Sequence, residues 1–351
     1  MPDQEANSNR EQPTGLAGLR YPITQISLAV EGLDATMALY HRAFGWAPWQ
    51  VFDHVPPIHH ATELRGQPVH YALRGAEVYV GDVNFELLQP LEGPNLWSEF
   101  IASRGEGIAS IAVMFHERAD GDAVKAAFRE RYGIEVSMKA DIGEHIEYYY
   151  LDTEARFGCL IESGSGHAID FVRPAQVYPH QGAGPGPSPM SGLTYPISQV
   201  SLVVRDLETR VAAFHEAFGW GPWRVFEPNG TTLRAARVRG RPAELRLRFA
   251  QAQVGRLNVE LVEPRGDGDP WRQHLEQKGE GLIGIGLALP DAVACERARA
   301  QFRELGCEVL AAASIGAGEW SYLDTEATFK CLIGVGSAHA SEALEPSGVL
   351  G

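Results

Sequence analysis

The sequence predicts an α+β protein of two tandem domains, each assembled from two copies of one strand–helix–strand–strand–strand unit. Three observations predict it. "YPITQISLAV" returns as "YPISQVSLVV" at an offset of 174 residues, carrying Gln25 onto Gln199. The same offset relates "FGWAPWQVF" to "FGWGPWRVF" and "NFELLQP" to "NVELVEP", and falls to 172 where "YLDTEARFGCLIE", from Tyr150, returns as "YLDTEATFKCLIG", from Tyr322. A fainter repeat lies inside each domain at an offset of 85, setting Gln25 over Ser110 and Gln199 over Gly284. Repeats this long and this few do not fit a solenoid.

Taken in order, residues 1–19 read as a disordered leader, because "MPDQEANSNREQPTG" has no apolar stretch of the kind a signal peptide needs. The first domain is expected over 20–164. "ITQISLAV" alternates as a strand does, and "LDATMALYHRAF" spaces its apolar residues three and four apart as a helix does. The same pairing recurs in "IASIAVMF" with "DAVKAAFRERY", in "ISQVSLVV" with "LETRVAAFHEAF", and in "LIGIGLAL" with "ACERARAQFRELG". Short β-branched and aromatic runs separated by turn residues follow each helix. Residues 165–193 contain "HQGAGPGPSPMSG" and read as a flexible linker. The second domain is expected over 194–336, and 337–351 as a flexible tail.

Composition narrows the function. A formal charge of −15 argues against nucleic acid and anionic membrane as partners, since both need a basic face. No apolar run reaches the roughly 18 residues of a membrane span. Cys159, Cys295, Cys307 and Cys331 form no C-x-x-C pair, and read as buried free thiols of a cytoplasmic protein.

Four such units, with "QISLAVEGLD", "FELLQP", "GEGI" and "YLDTEARFGCLIE", resemble the vicinal oxygen chelate superfamily, which includes glyoxalase I, methylmalonyl-CoA epimerase, extradiol dioxygenases and bleomycin-resistance proteins. The resemblance covers nearly all of residues 20–336. It implies that each domain curls into a half-open, eight-stranded barrel. The cavity would be lined by the first and last strands of each unit, and would commonly hold a metal on one residue from each. By position these residues are Gln25, Glu86, Ser110 and Glu162 in the first domain. In the second they are Gln199, Glu260, Gly284 and Gly334, too few side chains to bind a metal well. The resemblance thus implies a working first cavity and a degenerate second one. A metal in the first would lie on Gln25, Glu86 and Glu162, an oxygen set suited to a hard cation.

Each candidate has a bland reading. Glu86, in "VNFELLQPL", is a carboxylate among apolar residues and must be paired, protonated or coordinated. Glu162 faces Gly334 in the repeat, so the fold alone does not require it. Gln25 recurs as Gln199, which makes a shared structural role a serious rival. Ser110 is small enough simply to widen the cavity. His59 and His60 become Leu233 and Arg234 in the repeat, which marks His60 as a candidate catalytic group and His59 as a substrate contact. His70 and His145 are further candidates. Tyr71, Tyr79 and Tyr149 become Leu245, Gln253 and Ser321, so they are candidates to line a pocket.

Two carboxyl groups on one apolar cavity suit acid/base chemistry beside a carbonyl. The expected activity is therefore an isomerase, epimerase or lyase acting on a small hydrophobic carbonyl compound. The chain would act as a monomer whose fusion mimics a dimer, or as a homodimer. The alternative is a drug-binding protein without chemistry. A ring-cleaving dioxygenase is disfavoured because its iron takes two His and one carboxylate, and no His stands at these positions. Ala29 and Pro90 stand where glyoxalase I would carry its glutathione-binding Arg and Asn.

Overall fold

The computed structural model describes residues 22–114, 118–144, 146–180, 195–316, 318–337 and 344–351. The expected leader, His145 and most of the Gly/Pro-rich segment lie outside these. The first domain runs β1 (Gln25–Ala29), α1 (Leu33–Phe44), β2 (Trp49–His54), β3 (His59–Leu64), β4 (Gln67–Pro68), β5 (Ala72–Val80) and β6 (Val83–Glu92). It continues α2 (Leu96–Arg104), β7 (Gly107–Met114), α3 (Arg118–Tyr132), β8 (Val136–Ile142), β9 (Ile146–Leu151), α4 (Glu154–Phe157), β10 (Leu160–Gly164), α5 (Ala168–Phe171) and β11 (Gln176–Tyr178). The second runs β12 (Gln199–Val203), α6 (Leu207–Phe218), β13 (Trp223–Phe226), β14 (Leu233–Val238), β15 (Arg241–Pro242), β16 (Leu247–Val254) and β17 (Leu257–Pro264). It ends α7 (Pro270–Lys278), β18 (Gly281–Ala288), α8 (Ala292–Glu304), β19 (Val309–Ile315), β20 (Gly318–Leu323), α9 (Glu326–Phe329), β21 (Leu332–Gly336) and β22 (Gly348–Leu350).

The helices obey local rules. In α1 the buried residues Leu33, Thr36, Met37, Tyr40, Ala43 and Phe44 fall on one stripe, and the helix stops at Gly45 in the left-handed conformation. In α6 the Asp206 side chain accepts from the Thr209 amide at 2.9 Å and caps the first turn.

Each domain is one curled sheet of eleven strands, in the order β11-β2-β5-β6-β1-β7-β10-β9-β8-β3-β4 and its counterpart β22-β13-β16-β17-β12-β18-β21-β20-β19-β14-β15. Eight strands of each are the two expected units. The other three cover the edges that eight strands would leave bare. The β3–β4 hairpin crosses from the first unit to pair with β8 of the second, and β11 pairs with β2. Two expectations are corrected here. The stretch read as linker carries α5 and β11 over residues 165–180, and the stretch read as tail carries β22, paired with β13. The edge strands β2 and β13 offer backbone groups that these segments satisfy.

The outer faces of both sheets share one apolar core, formed with the helices of both domains. The inner face of each sheet packs a separate cluster, which in the first domain includes Leu73, Leu88, Trp97, Met138, Tyr148 and Tyr150. Among the described residues no helix is long and apolar enough to cross a membrane.

Candidate functional site

Strand register places the candidate residues. β1 lies between β6, parallel to it, and β7, antiparallel. One row across the sheet reads Glu77, Glu86, Ser27, Ser110, Leu160. The next row reads Tyr79, Asn84, Gln25, Ala112, Glu162, Tyr150. Residues paired across strands share a face, so Gln25, Glu86, Ser110 and Glu162 all project to one side. The register also relates the two units: Gln25 stands to Ala112 as Ser110 stands to Ser27, and Glu86 to Ser27 as Glu162 to Ala112.

Gln25, Glu86 and Glu162 line one cavity, in which about 30 Å³ is open to the centre of a water molecule. Glu77, His54, Trp97, Tyr148, Tyr150 and His167 complete most of its wall, to which no Lys or Arg among the described residues contributes. Glu86 accepts from the Ser27 hydroxyl at 2.6 Å, and Glu162 from the Tyr150 hydroxyl at 2.5 Å. Glu77 accepts from the Asn84 amide at 2.6 Å and from the Ile169 backbone N–H at 3.2 Å. Gln25 Oε1, Ser110 Oγ and both ring nitrogens of His167 are buried without a hydrogen-bond partner among the described residues.

Burial dominates the acidities. It raises Glu77 to about 7 and Glu162 to about 8. It lifts Glu86 well above the carboxylate range, with the charges of Glu162 and Glu77 adding to the effect. Burial also lowers His54 to about 3, and His59 and His167 to about 4, so these imidazoles are neutral at pH 7.

Other expected contacts lie elsewhere. His60 is exposed on β3 and its Nε2 meets the Gly143 carbonyl at 2.9 Å, outside the cavity. His70 is exposed and pairs with Glu92 at 2.9 Å. Tyr149 faces the helices, where its hydroxyl donates to the Gly121 carbonyl, because alternation along β9 sends Tyr148 and Tyr150 inward instead. Tyr79 is 40% exposed and donates to Asp170. His59 and Tyr71 are buried beside the cavity, both bonded to the Tyr148 hydroxyl, at 2.8 and 3.1 Å. They hold a wall residue and are not themselves on the cavity wall.

The residues that sequence reasoning missed are Glu77, His54, Trp97, Tyr148, Tyr150 and His167. Glu77 carried a usable signal, since its repeat partner is Gln251.

The second domain has the same rows with different chemistry. Gln251 replaces Glu77 and Gly334 replaces Glu162, which leaves Glu260 as the one carboxylate of its two rows. Glu260 accepts from Gln251 at 2.6 Å, from Tyr322 at 2.9 Å and from Ser201 at 3.1 Å. A Cβ on Gly334 would meet the Tyr322 ring at 3.3 Å, so Tyr322 fills the space a longer side chain would need.

Comparison with known proteins finds a family match in the second domain. Residues 198–323 match the model of the glyoxalase/bleomycin resistance protein/dioxygenase superfamily, and the first domain repeats their sequence and their strand order. The second domain thus matches the vicinal oxygen chelate superfamily in sequence, and the tandem fold agrees with it. No curated protein matches in sequence. Among solved structures, a triple mutant of 4-hydroxymandelate synthase from Streptomyces coelicolor is 13% identical, with 91% of this chain and 92% of that chain covered and a TM-score of 0.55. At that identity it shows the fold alone. A manganese(II)-bound glyoxalase from Novosphingobium aromaticivorans is 14% identical, with 90% and 82% covered and a TM-score of 0.48.

Metals are common in the superfamily, so the donor set needs a test. Among the described residues no three His, Cys, Asp or Glu side chains group closely enough to hold an ion. Gln25, Glu86 and Glu162 are all oxygen donors, two of them carboxyl groups, and Gln25 Oε1 is orphaned. That is the donor chemistry of a hard divalent cation.

Proposed function

We propose that the first domain is an acid/base catalyst for a small, uncharged, hydrophobic carbonyl compound, in epimerase, isomerase or lyase chemistry. The observation that carries this reading is three buried carboxyl groups on one cavity that no Lys or Arg among the described residues lines. Burial, with mutual repulsion adding to it, keeps some protonated near neutral pH, so an acid and a base coexist. Glu86 on β6 and Glu162 on β10 are separated by β1 and β7, so they reach a bound substrate from two sides. One takes the proton next to the carbonyl, and the C–H electron pair moves toward the carbonyl oxygen. The other returns a proton to the same carbon, to a neighbouring atom, or to a leaving group.

The test is deuterium uptake at the α-carbon of neutral ketones and aldehydes, such as phenylacetone and 2-phenylpropanal, incubated with the protein in heavy water. Exchange that Glu86→Gln and Glu162→Gln abolish supports the reading. Tight binding with the ligand recovered unchanged and undeuterated overturns it in favour of a binding protein.

The orphaned Gln25 oxygen favours a second reading, in which Gln25, Glu86 and Glu162 hold a divalent cation. When bound, it would polarise the substrate carbonyl. Metal analysis of the purified protein, with exchange measured in chelator, separates the two: full activity without stoichiometric metal removes the cation. Both readings take a small-molecule substrate and a fused pair that needs no second copy. The four buried free cysteines suit a reducing cytoplasm.

A further inference from the structure

A cavity with about 30 Å³ of free room holds a water or two and no organic substrate. Part of its wall must therefore move. After β10 the chain leaves the sheet at Ser165 and Gly166 and runs into α5, and Gly166, His167 and Ala168 become cavity wall. This strap is tied down at a few named points. The Ile169 N–H donates to Glu77, and the Tyr79 hydroxyl donates to Asp170 at 2.8 Å. The Ser165 N–H donates to the Glu147 carbonyl at 2.9 Å. In the second domain Gln251 and Gln253 stand in the places of Glu77 and Tyr79.

His167 is the polar side chain that the strap contributes to the wall. It is 6% exposed, and neither ring nitrogen has a hydrogen-bond partner among the described residues. A buried imidazole with two unmet nitrogens is costly, because its hydration is lost and nothing replaces it. Burial keeps the ring neutral although Asp170 pulls the other way, so one nitrogen carries a proton and the other accepts. A neutral imidazole N–H can polarise a carbonyl without surrendering its proton.

We propose that His167 is a catalytic residue of this site, whose ring N–H donates to the substrate's carbonyl oxygen and holds it as it becomes an enolate oxygen. The proposal rests on the acid/base reading above. One carboxylate takes the α-proton. The C–H pair becomes the enolate double bond, and the carbonyl π pair moves onto oxygen, where the His167 N–H meets it. A second carboxyl group gives a proton to the enolate double-bond pair, which becomes the new C–H bond, the pair on oxygen reforms the carbonyl, and no oxidant or reductant enters. Opening of the strap withdraws His167 and admits the substrate; the strap then settles over the bound molecule, farther from the sheet than in the empty cavity, with the His167 donor at the carbonyl oxygen.

The test uses phenol, 4-cyanophenol and 4-nitrophenol as probes of enolate-oxygen binding, on the full chain. In the wild type, the ring ¹⁵N signals of His167 shift on adding phenol, and affinity rises with phenol acidity. His167→Phe flattens that trend and slows deuterium exchange on phenylacetone about 100-fold, the usual loss when one oxyanion donor is removed. His167→Gln, which keeps a donor, lies between the two. Thermal melting of both variants checks that they fold, and the wild-type ¹⁵N shift needs no variant at all. Absence of phenol binding to the wild type, an unmoved His167 ring, or wild-type exchange by a folded His167→Phe would each overturn the proposal. If the wild type exchanges no carbonyl compound but phenol still moves the His167 ring, the acid/base reading falls while the His167 contact stands.

Discussion

Glu86 and Glu260 occupy equivalent places, each beside a serine of its domain's first strand, and each is buried to a few per cent exposure. Three neutral donors satisfy Glu260. Glu86 receives one side-chain hydrogen bond and faces two further carboxyl groups. Glu86→Gln and Glu162→Gln should therefore each cost on the order of 10²–10⁴ in exchange rate, the range of general acid/base catalysis. Glu260→Gln should leave the rate alone and cost only about 1–2 kcal/mol of stability, since its new amide N–H₂ faces donors. Equal loss of rate in all three variants would end the division between the cavities.

The same residues set a pH dependence. Glu77 and Glu162 have folded values of about 7 and about 8, against an ordinary 4.5. Between these limits the folded state binds the extra protons, so stability falls as pH rises from about 4.5 toward 8. His54, His59 and His167 have folded values of about 3, 4 and 4 against 6.5, so the unfolded state binds their protons and stability falls as pH drops below about 6.5. Melting temperature followed across pH 4–9 by circular dichroism should peak on the mildly acidic side. Glu162→Gln should flatten the alkaline limb and steepen the acid limb between about pH 4.5 and 6.5, where protonated Glu162 offsets the histidines; an unchanged alkaline limb would refute the assignment.

Among the elements, β9 and β10 form the wall that positions Tyr148, Tyr150 and Glu162, and they meet at Gly164. A Cβ there would stand 2.2 Å from the Glu147 carbonyl oxygen and 3.0 Å from Tyr148 Cα, both backbone atoms that cannot step aside. Gly164→Ala should pry β9 from β10, carry Tyr150 off Glu162, and cost about 3 kcal/mol or more in urea unfolding; a loss below about 0.5 kcal/mol would show that the wall yields freely. This scale also shows what the sequence could disclose. The helices α1 and α6 were legible to the residue, because burial imprints a 3.6-residue period on one stripe. The hairpin β3–β4, β11 and β22 were not, because each pairs with a strand distant in sequence and no local pattern names that partner. Asymmetry between the repeats found Glu162, but it also promoted His60 and Tyr149, which differ between copies for reasons unrelated to the cavity. His167 escaped the same filter because the second copy carries His339 at the equivalent place. Glu77 passed it as Gln251 and was legible in principle.

At the scale of the whole molecule, the two domains are joined through their helices. Tyr40 of α1 meets the Phe329 ring of α9 at 5.4 Å and donates its hydroxyl to the Phe329 carbonyl at 2.8 Å. The repeat maps this contact onto Phe214 of α6 against Phe157 of α4, with ring centroids 5.2 Å apart. The interface is thus two-fold in plan although the chain is single, and its two halves sit in one continuous apolar core. A core shared in this way cannot lose one side and leave the other dry. Freeing either domain would expose Tyr40, Phe44, Phe157, Phe214, Phe218 and Phe329 to water, at roughly 1.5–3 kcal/mol for each large side chain. Neither domain should then melt alone. Calorimetry should record one transition whose calorimetric and van't Hoff enthalpies agree. Phe157→Ala and Phe329→Ala should each lower that single transition, by an amount equivalent to about 3–5 kcal/mol. Two resolved transitions, with Phe329→Ala moving only one, would show that the domains are stable separately and that the shared core adds contact without cooperativity.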